Sequence, residues 1–385
     1  MFALSSGHLA TDLAQGSLPA LLPFLVEKFD LSYTMAAALV LAGTISSSII
    51  QPAFGIWSDA RGALWLLPAG VALAGIGMAA ACVAPAYGLV VLCVLAAGLG
   101  VAAYHPEGSK FASYVSGGRR ASGMSYFSVG GNIGFALGPL VASFAILTLG
   151  LGLKGGVVIA LPGLGVAAAL VWALPRLAAF APSDDALAER RAGGSAGGLA
   201  LLLLVVGLRS IAHMGLFTFV PLYEVARGNG AGYGTRLLAL FLIAGAAGTL
   251  AGGPLADRFG RRAVLLASFA VATPLILVYA TVGGLVGAVA LVLSGAAVIG
   301  TFGVTLVMSH EYMPGRVGMA SGLSIGMAIG LGGIAALWLG TVADAVDIDA
   351  AVTATVAGPA LALLVTLVLP PAPTGAPREP AAAAI

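Results

Sequence analysis

Three polar residues near the start of the chain share one face of a predicted helix. His8, Asp12 and Gln15 stand at positions i, i+4 and i+7 of an otherwise apolar run, and this spacing brings their side chains to the same side. Histidine changes its charge near neutral pH, and an adjacent carboxylate can exchange a proton with it. The pattern indicates the lining of a polar pathway or, for His8, a hydrogen-bonded structural residue.

A second polar pair lies half a chain later. Arg209 and His213 also have i, i+4 spacing inside a long apolar run. A charge in the middle of a lipid-embedded helix is costly, so it usually faces a cavity or a partner. We expect Asp12 and Arg209 to face each other across a central cavity, where the guanidinium would bind an anionic ligand and Asp12 would be proton carrier or competing charge. A static pair that only orients helices is the alternative.

A third set consists of His105, Glu107 and Lys110. Pro106, between the first two, removes one backbone hydrogen bond from a helix, and Glu107 can pair with Lys110 at i, i+3. Because histidine titrates near neutral pH, we expect His105 or Glu107 to load and release a proton. A structural network at a helix end is the alternative.

Charge is also concentrated at two matching points, since Asp59 and Asp257 lie 198 residues apart. We expect these two segments to be gates that close one face of the molecule. The aspartates would lie near helix N-termini, where anions are favoured, and the arginines would bridge to carboxylates such as Glu311. The residues assigned to the gates are Gly55, Asp59, Arg61, Gly253, Asp257, Arg258, Gly260, Arg261, Arg262, Glu311 and Arg316.

The composition indicates that these polar residues belong to a membrane protein. Hydrophobic residues make up 60% of the 385 and charged residues 8%, whereas a soluble domain carries roughly 25% charged residues. A spanning helix needs about 20 mainly apolar residues, and the apolar runs are continuous instead of alternating as in strands. We therefore predict an all-α polytopic membrane protein with twelve spans, at about 3–26, 34–57, 64–84, 87–113, 120–149, 155–174, 199–223, 235–256, 262–283, 285–309, 315–341 and 350–370.

The spans divide into two repeated halves. Ala121-Ser122-Gly123-Met124 and Ala320-Ser321-Gly322-Leu323 open the fifth and eleventh spans, 199 residues apart. Six spans in each half imply pseudo-symmetry about an axis along the membrane normal, with the substrate path between the halves. The predicted units are the N-terminal half 1–174, a cytoplasmic linker 175–198, the C-terminal half 199–370 and a disordered tail 371–385.

The distribution of lysine and arginine predicts the orientation. Most of them fall in the loops on the side of the two chain ends, and the positive-inside rule places that side in the cytoplasm. The abundance of alanine and glycine suggests the inner (cytoplasmic) membrane of a bacterium. A net charge of +2 without a basic patch gives no indication of nucleic acid as a partner.

The segment Gly253-Pro254-Leu255-Ala256-Asp257-Arg258-Phe259-Gly260-Arg261-Arg262 resembles the signature G-x-L-A-D-R-x-G-R-R of the major facilitator superfamily. Within it, the chain is similar to the fosmidomycin-resistance group of drug exporters. That similarity is carried by the segments 7–12, 104–110, 130–139 and 311–322.

The resemblance implies proton-coupled efflux of a small anionic antibiotic or metabolite by alternating access, with the proton gradient as energy source and no other cofactor. It implies a multi-pass protein that contacts the lipid bilayer, and we expect a functional monomer. The Gly134-x-x-x-Gly138-Pro139 sequence resembles part of the span-5 motif of superfamily antiporters, although Ala142 and Ser143 replace its downstream glycines. Small residues at this spacing also let helices pack closely. Asn132 beside them is a candidate for hydrogen bonding to substrate.

Other functions fit less well. No nucleophile elbow, phosphate loop or metal-ligand cluster is evident, and the four histidines lie on four different spans, so we expect neither an enzyme nor a metal site. Proton-symport uptake of a small organic anion remains an alternative, because the same gates and cavity could serve either direction. A non-transporting scaffold or sensor has no need for polar residues at mid-membrane.

Overall fold

The computed structural model of the chain describes residues 1–61, 63–115, 120–180, 194–313 and 317–370. Within these residues, twelve helical segments are long and apolar enough to cross a membrane, which confirms the predicted all-α architecture. We number them as spans 1 to 12: Phe2–Phe29, Tyr33–Gln51, Leu66–Val83, Tyr87–Ala112, Tyr126–Thr148, Leu153–Ala178, Ala196–Ala226, Ala231–Ala256, Arg261–Val282, Gly284–Ser309, Leu323–Ala345 and Ile348–Leu367.

Several helices extend beyond the membrane-spanning segments or change their form within them. The second and eighth helices run over Tyr33–Arg61 and Ala231–Phe259. Span 5 ends in a π-helical turn, Phe144–Thr148, and span 6 begins with a 3₁₀ segment, Leu153–Ile159. The sixth helix continues to Ala178 and the seventh begins at Ala196, so both ends of the predicted linker 175–198 are helical.

Span 10 is divided into two helices at Thr301. The first, which we call span 10a, covers Gly284–Gly300, and the second, span 10b, covers Phe302–Tyr312. Thr301 lies between them, and the N–H of Thr305 donates to its carbonyl over 2.9 Å as the opening bond of the new helix. A division of this kind inside a membrane leaves the polar ends of two helices at one depth.

Spans 1 and 5 form the closest pair in the N-terminal half. A Cβ added to Gly130, Gly134 or Gly138 would meet backbone atoms of span 1, including the carbonyl oxygen of Leu13 at 2.5 Å from Gly138. The sequence predicted that this glycine stripe packs helices, and the structure identifies span 1 as the partner. Small residues permit this approach because the helix backbones themselves come into contact.

The two halves meet on the face opposite the chain ends. We call the face of Met1 and Pro370 the terminal face and the opposite one the distal face. Near the distal face Gly340 of span 11 packs on Thr34 of span 2, where an added Cβ would come within 3.0 Å of the Thr34 Cα. Phe135 of span 5 stacks on Phe217 of span 7 with 4.8 Å between ring centroids.

The carboxylate of Asp344 connects the two halves at the same place. Both oxygens of Asp344, at the end of span 11, accept hydrogen bonds of 2.8 Å from the backbone N–H groups of Tyr33 and Thr34. These are the first residues of span 2, whose N-terminal N–H groups have no partner within their own helix. The negative charge also lies at the positive end of the helix dipole, so Asp344 connects the two halves.

Candidate functional site

His8, Asp12 and His105 form one cluster between spans 1 and 4. The Nε2 atom of His105 lies 2.9 Å from Asp12 Oδ1, and Nε2 of His8 lies 3.2 Å from Asp12 Oδ2. Each of the three side chains retains 14% exposure, so the cluster is nearly but not fully enclosed. The sequence predicted His8 and Asp12 as neighbours and placed His105 in a separate set. Residues on different spans, such as Asp12 and His105, cannot be recognised as neighbours from their positions in the sequence.

The hydrogen bonding of His8 fixes where its protons are. Its Nδ1 lies 2.8 Å from the carbonyl oxygen of Phe127 in span 5, and a carbonyl oxygen can only accept. Nδ1 therefore carries a proton. In the neutral ring Nε2 would then present a lone pair to the Asp12 carboxylate. The contact between Nε2 and Asp12 is favourable only when a proton lies on one of the two, so the cluster is a site for an exchangeable proton.

The sequence analysis counted the histidines on different spans as separate, whereas the structure places His8 and His105 on opposite oxygens of one carboxylate. The expected absence of a metal site stays a prediction. Within the described residues, the candidate ligand atoms of His8, Asp12 and His105 lie within 4.8 Å of one another. This spacing suits one shared proton and would also admit a small cation.

Two small residues make room for the cluster. A Cβ on Gly131 in span 5 would overlap the His8 ring and come within 2.7 Å of Asp12 Oδ2. Gly7 accommodates the ring of Tyr104, and the Tyr104 hydroxyl donates to the carbonyl of Leu4. Spans 4 and 5 thereby hold the polar face of span 1 in one orientation.

Glu107 lies two residues beyond His105 in span 4, toward the terminal face. Its Oε2 is 3.0 Å from Lys110 Nζ, so the predicted pair is present. The carboxylate is buried, with only 1% of the side chain exposed, whereas Lys110 is 18% exposed. A buried carboxylate needs such a charge or hydrogen-bond partner. Whether this pair carries protons or only fixes the helix end stays a prediction.

Arg209 lies at the middle of span 7 and is almost fully buried, with 1% exposure. Its Nη1 donates to the Thr301 hydroxyl over a long 3.5 Å, and the guanidinium carbon lies 5.7 Å from the centre of the Phe302 ring. Its Nε has no hydrogen-bond partner among the described residues. A buried guanidinium with these neutral neighbours is poorly compensated, since buried charges are normally paired.

Asp12 and Arg209 contact different partners, and their opposition across a cavity stays a prediction. Asp12 is bound by His8 and His105 inside the N-terminal half, and Arg209 turns toward span 10 inside the C-terminal half. No ion pair joins the two among the residues that the structure describes. Two histidines already occupy both oxygens of the carboxylate, so the acid and the guanidinium belong to separate sites.

Three other candidates lie near these sites. Gln15 lines a small, mainly apolar cavity together with Val94 of span 4 and Phe217 of span 7. Asn132 and His213 are half-buried, and His213 lies one helical turn beyond Arg209. These positions suit residues along a pathway between the halves, and their roles stay predictions.

Comparison with known proteins identifies the family. The model of the Major Facilitator Superfamily matches residues 4–337. This chain belongs to that superfamily. It is 32% identical over 374 residues to the uncharacterized MFS-type transporter YfnC of Bacillus subtilis (strain 168), covering 94% of this chain and 90% of the relative. It is also 32% identical over 354 residues to the fosmidomycin resistance protein of Escherichia coli (strain K12), covering 90% and 87%.

Solved structures agree with the superfamily fold. A bacterial homologue of the human lysosomal transporter Spinster, in an inward-facing and occupied conformation, superposes with a TM-score of 0.80 at 16% identity over 96% of this chain and 95% of that one. The family members and structural neighbours are transporters and not enzymes. The chain is therefore a multi-pass membrane transporter of small molecules.

The superfamily signature is mostly helical here, whereas the predicted spans 235–256 and 262–283 left residues 257–261 between them. The eighth helix continues through Phe259, and Gly260 alone turns the chain into the ninth helix at Arg261. Gly260 has φ 89°, a region that residues with a side chain rarely adopt. Several gate residues lie outside the part of the chain that the structure describes. These are the side chains of Asp59, Arg61 and Asp257, the surroundings of Gly55 and the whole of Arg316. Their gate roles stay predictions.

Two of the signature arginines have different partners. Arg261 forms an ion pair with Glu311, as the sequence predicted. Burial raises the pKa of Glu311 above its ordinary value, and the charge of Arg261 opposes that shift. Both residues belong to the C-terminal half, so this pair joins spans 9 and 10 within one half.

Arg262 was predicted to bridge to a carboxylate and instead caps a helix. Its Nε donates to the carbonyl of Thr366 over 3.1 Å, and Nη2 donates to the carbonyl of Leu367. These carbonyls end span 12, where a positive charge is favoured by the helix dipole. Arg258 lies over the ring of Phe259, 5.2 Å from its centre. A Cβ added to Gly253 would meet nothing within 4 Å among the described residues.

Proposed function

We propose that this transporter is a proton-coupled antiporter that exports a small anionic compound, phosphonate-like in chemistry, by alternating access. The observation that carries this proposal is the buried Arg209, which has no carboxylate partner among the described residues. A cation kept at mid-membrane without a counter-charge is costly, and an anionic substrate would offset that cost. The name of the 32% identical fosmidomycin resistance protein supports the same class of substrate.

Proton coupling is assigned to the other half. The His8–Asp12 contact needs one proton to be favourable, and His105 holds the second oxygen of the same carboxylate. Release of that proton would leave two acceptors facing each other, which favours a rearrangement of spans 1, 4 and 5. The pair of Glu107 and Lys110, which begins two residues beyond His105, is the next proton acceptor on this pathway.

The cellular setting follows from the same proposal. The transporter acts in a bacterial inner membrane with both chain ends in the cytoplasm, since lysine and arginine are concentrated on the terminal face. The proton gradient is its energy source, and no further cofactor is required. Each monomer contains both sites and is a complete functional unit.

Proton movement in everted membrane vesicles tests the proposal. Vesicles are energised until a pH dye reports an acidic lumen, and fosmidomycin or another small anion is then added. Export into the lumen in exchange for protons would collapse part of the gradient. Arg209→Lys should reduce this response about tenfold or more, because an ammonium loses the bidentate geometry. Arg236→Lys, at an exposed arginine near the distal face, serves as the control.

Two outcomes would contradict the proposal. A normal response from Arg209→Lys would remove the arginine from substrate binding. No response of the wild-type protein to a panel of anions, combined with accumulation of one of them in right-side-out vesicles under an inward proton gradient, would establish uptake by symport.

A further inference from the structure

The break in span 10 places the start of a second helix, with its opening N–H groups, inside the membrane. Helix 10b begins after Thr301, and the first bond of that helix joins the Thr305 N–H to the Thr301 carbonyl. The N–H groups of residues 302–304 precede this bond, and the opening N–H groups of any helix lack partners within it. They also form the positive end of its dipole.

Three of the last four carbonyls of helix 10a accept hydrogen bonds from hydroxyl groups. Ser268 donates to Ala297 O over 2.9 Å, Thr301 to Val298 O over 3.1 Å and Thr249 to Ile299 O over 3.2 Å. Among the described residues, Arg209 makes its hydrogen bond to the Thr301 hydroxyl and not to these carbonyls.

Arg209 approaches the donor side of the break. Its Nη1 contacts the Thr301 hydroxyl and its guanidinium lies near the Phe302 ring, which are the residues that open helix 10b. Its buried Nε has no partner among the described residues. A positive guanidinium beside the positive end of a helix is unfavourable by itself, and an anion between them would make both contacts favourable.

There is also room beside the donors. A Cβ added to Gly303, at the second position of helix 10b, would meet nothing closer than the Thr249 methyl group at 3.9 Å. Arg209 and Thr301 are both buried in this conformation. An anion would enter when the long Arg209–Thr301 contact opens, since a 3.5 Å hydrogen bond is weak.

We propose that the break in span 10 is the subsite for the anionic group of the substrate, a phosphonate or phosphate bound jointly by Arg209 and the first N–H groups of helix 10b. This inference rests on the proposed export of an anion and specifies where the anion is bound. A tetrahedral oxyanion suits the subsite because it has enough oxygens to accept from the guanidinium and the helix end together.

A pair of substitutions at Thr301 tests the subsite. Asp and Asn have nearly the same shape and differ in charge, so Thr301→Asp and Thr301→Asn form a matched pair at the residue between helices 10a and 10b. Only the aspartate places a fixed negative charge where the ligand would bind. We expect Thr301→Asp to weaken binding of methylphosphonate and of fosmidomycin at least about tenfold more than Thr301→Asn does, because both change the contact with Arg209 and only the aspartate repels the anion.

The measurement is isothermal titration calorimetry on the purified full-length transporter in detergent. Equal affinities of Thr301→Asp and the wild type, or an equal loss in both variants, would overturn the subsite while leaving anion export in place. Absence of binding by the wild-type protein would overturn the anionic substrate and the subsite together. If Thr301→Asp does not fold, Arg209→Gln provides the second variant: it should abolish methylphosphonate binding, and retained binding would reject the proposal.

Discussion

His8 is the residue whose chemistry is most constrained by its surroundings. Its Nδ1 must donate to the Phe127 carbonyl, so its Nε2 alone is free to exchange a proton with Asp12. The imidazole ring also stacks on the Phe127 ring with 4.2 Å between centroids. A proton at this position is therefore connected to span 5 through both the backbone and the aromatic side chain of one residue.

Gly131 provides the residue-scale test of this arrangement. Gly131→Ala should place a methyl group against His8 and within 2.7 Å of Asp12 Oδ2, which separates the two groups and removes the proton site. Such overpacking costs roughly 1–3 kcal/mol of stability. We expect the fosmidomycin-induced collapse of the proton gradient to be lost in everted vesicles, although the protein remains folded.

Gly134→Ala is the matched control for that substitution. It lies one turn away in the same stripe, where an added Cβ meets the backbone of Leu9 and not the cluster. If both variants lose proton coupling equally, the effect comes from separating spans 1 and 5. Loss in Gly131→Ala alone assigns it to the His8–Asp12 contact.

The sequence predicted the members of the sites better than their partners. His8 and Asp12 share a helix, so their spacing alone placed them together. The contact of His105 with Asp12 depends on how spans 1 and 4 are rotated against each other, which no local spacing records. For the same reason, the direction of Arg209 toward Thr301 could not be read from the positions of charges along the chain.

At the scale of helices, the ends are fixed by specific caps. Arg262 donates to two carbonyls that end span 12, although its place in the superfamily signature suggested a gate. Arg262→Gln should therefore loosen the end of span 12 by about 0.5–1 kcal/mol without altering the balance between the two accessibility states. Faster hydrogen exchange at residues 364–368 would report the first effect.

The exposed Arg258 supplies the comparison at this scale. Arg258→Gln removes a neighbouring charge that lies over the Phe259 ring and makes no cap, so exchange at the end of span 12 should not change. If Arg262→Gln shifted the balance between the two accessibility states as much as a gate variant does, Arg262 would act as a gate residue as well as a helix cap.

The helices themselves were predictable because their apolar length is a local property. All twelve spans were found from runs of hydrophobic residues, and the glycine stripe of span 5 correctly indicated close packing. The division of span 10 was missed, since neither glycine nor threonine at positions 300–301 is unusual in a membrane helix. The break is seen only in the backbone of the structure, where Thr301 separates helices 10a and 10b.

At the scale of the whole molecule, the two polar sites lie in different halves. The cluster around Asp12 belongs to the N-terminal half and Arg209 to the C-terminal half. Their shared boundary at the distal face includes the Asp344 contacts with the start of span 2. Opening of the distal face must break these two hydrogen bonds, so Asp344 stabilises the closed state.

Asp344→Asn should shift the molecule toward distal opening. Losing the charge at the N-terminus of span 2 is worth about 1 kcal/mol, which changes the population ratio about fivefold. A cysteine introduced at Leu41, half-buried between spans 2 and 11, reports this opening. In a variant without Cys82 and Cys93, its labelling from the distal side should be several times faster.

Asp347 supplies the control, because it has the same chemistry within one half. Its Oδ1 accepts from the backbone N–H of Ala350 over 2.7 Å and caps the first helix of span 12. Asp347→Asn should leave the labelling rate at Leu41→Cys unchanged. Equal acceleration by both variants would mean that Asp344 does not act as a connection between the halves.

The donors that Asp344 binds are backbone N–H groups, so the contact restricts the residue at position 344 more than the residues at positions 33 and 34. Tyr33 and Thr34 contribute N–H groups that any residue except proline would supply, whereas the carboxylate at 344 is irreplaceable by most side chains. A saturation library selected for antibiotic resistance should therefore recover many residues at positions 33 and 34, exclude proline there, and return a single dominant residue at position 344.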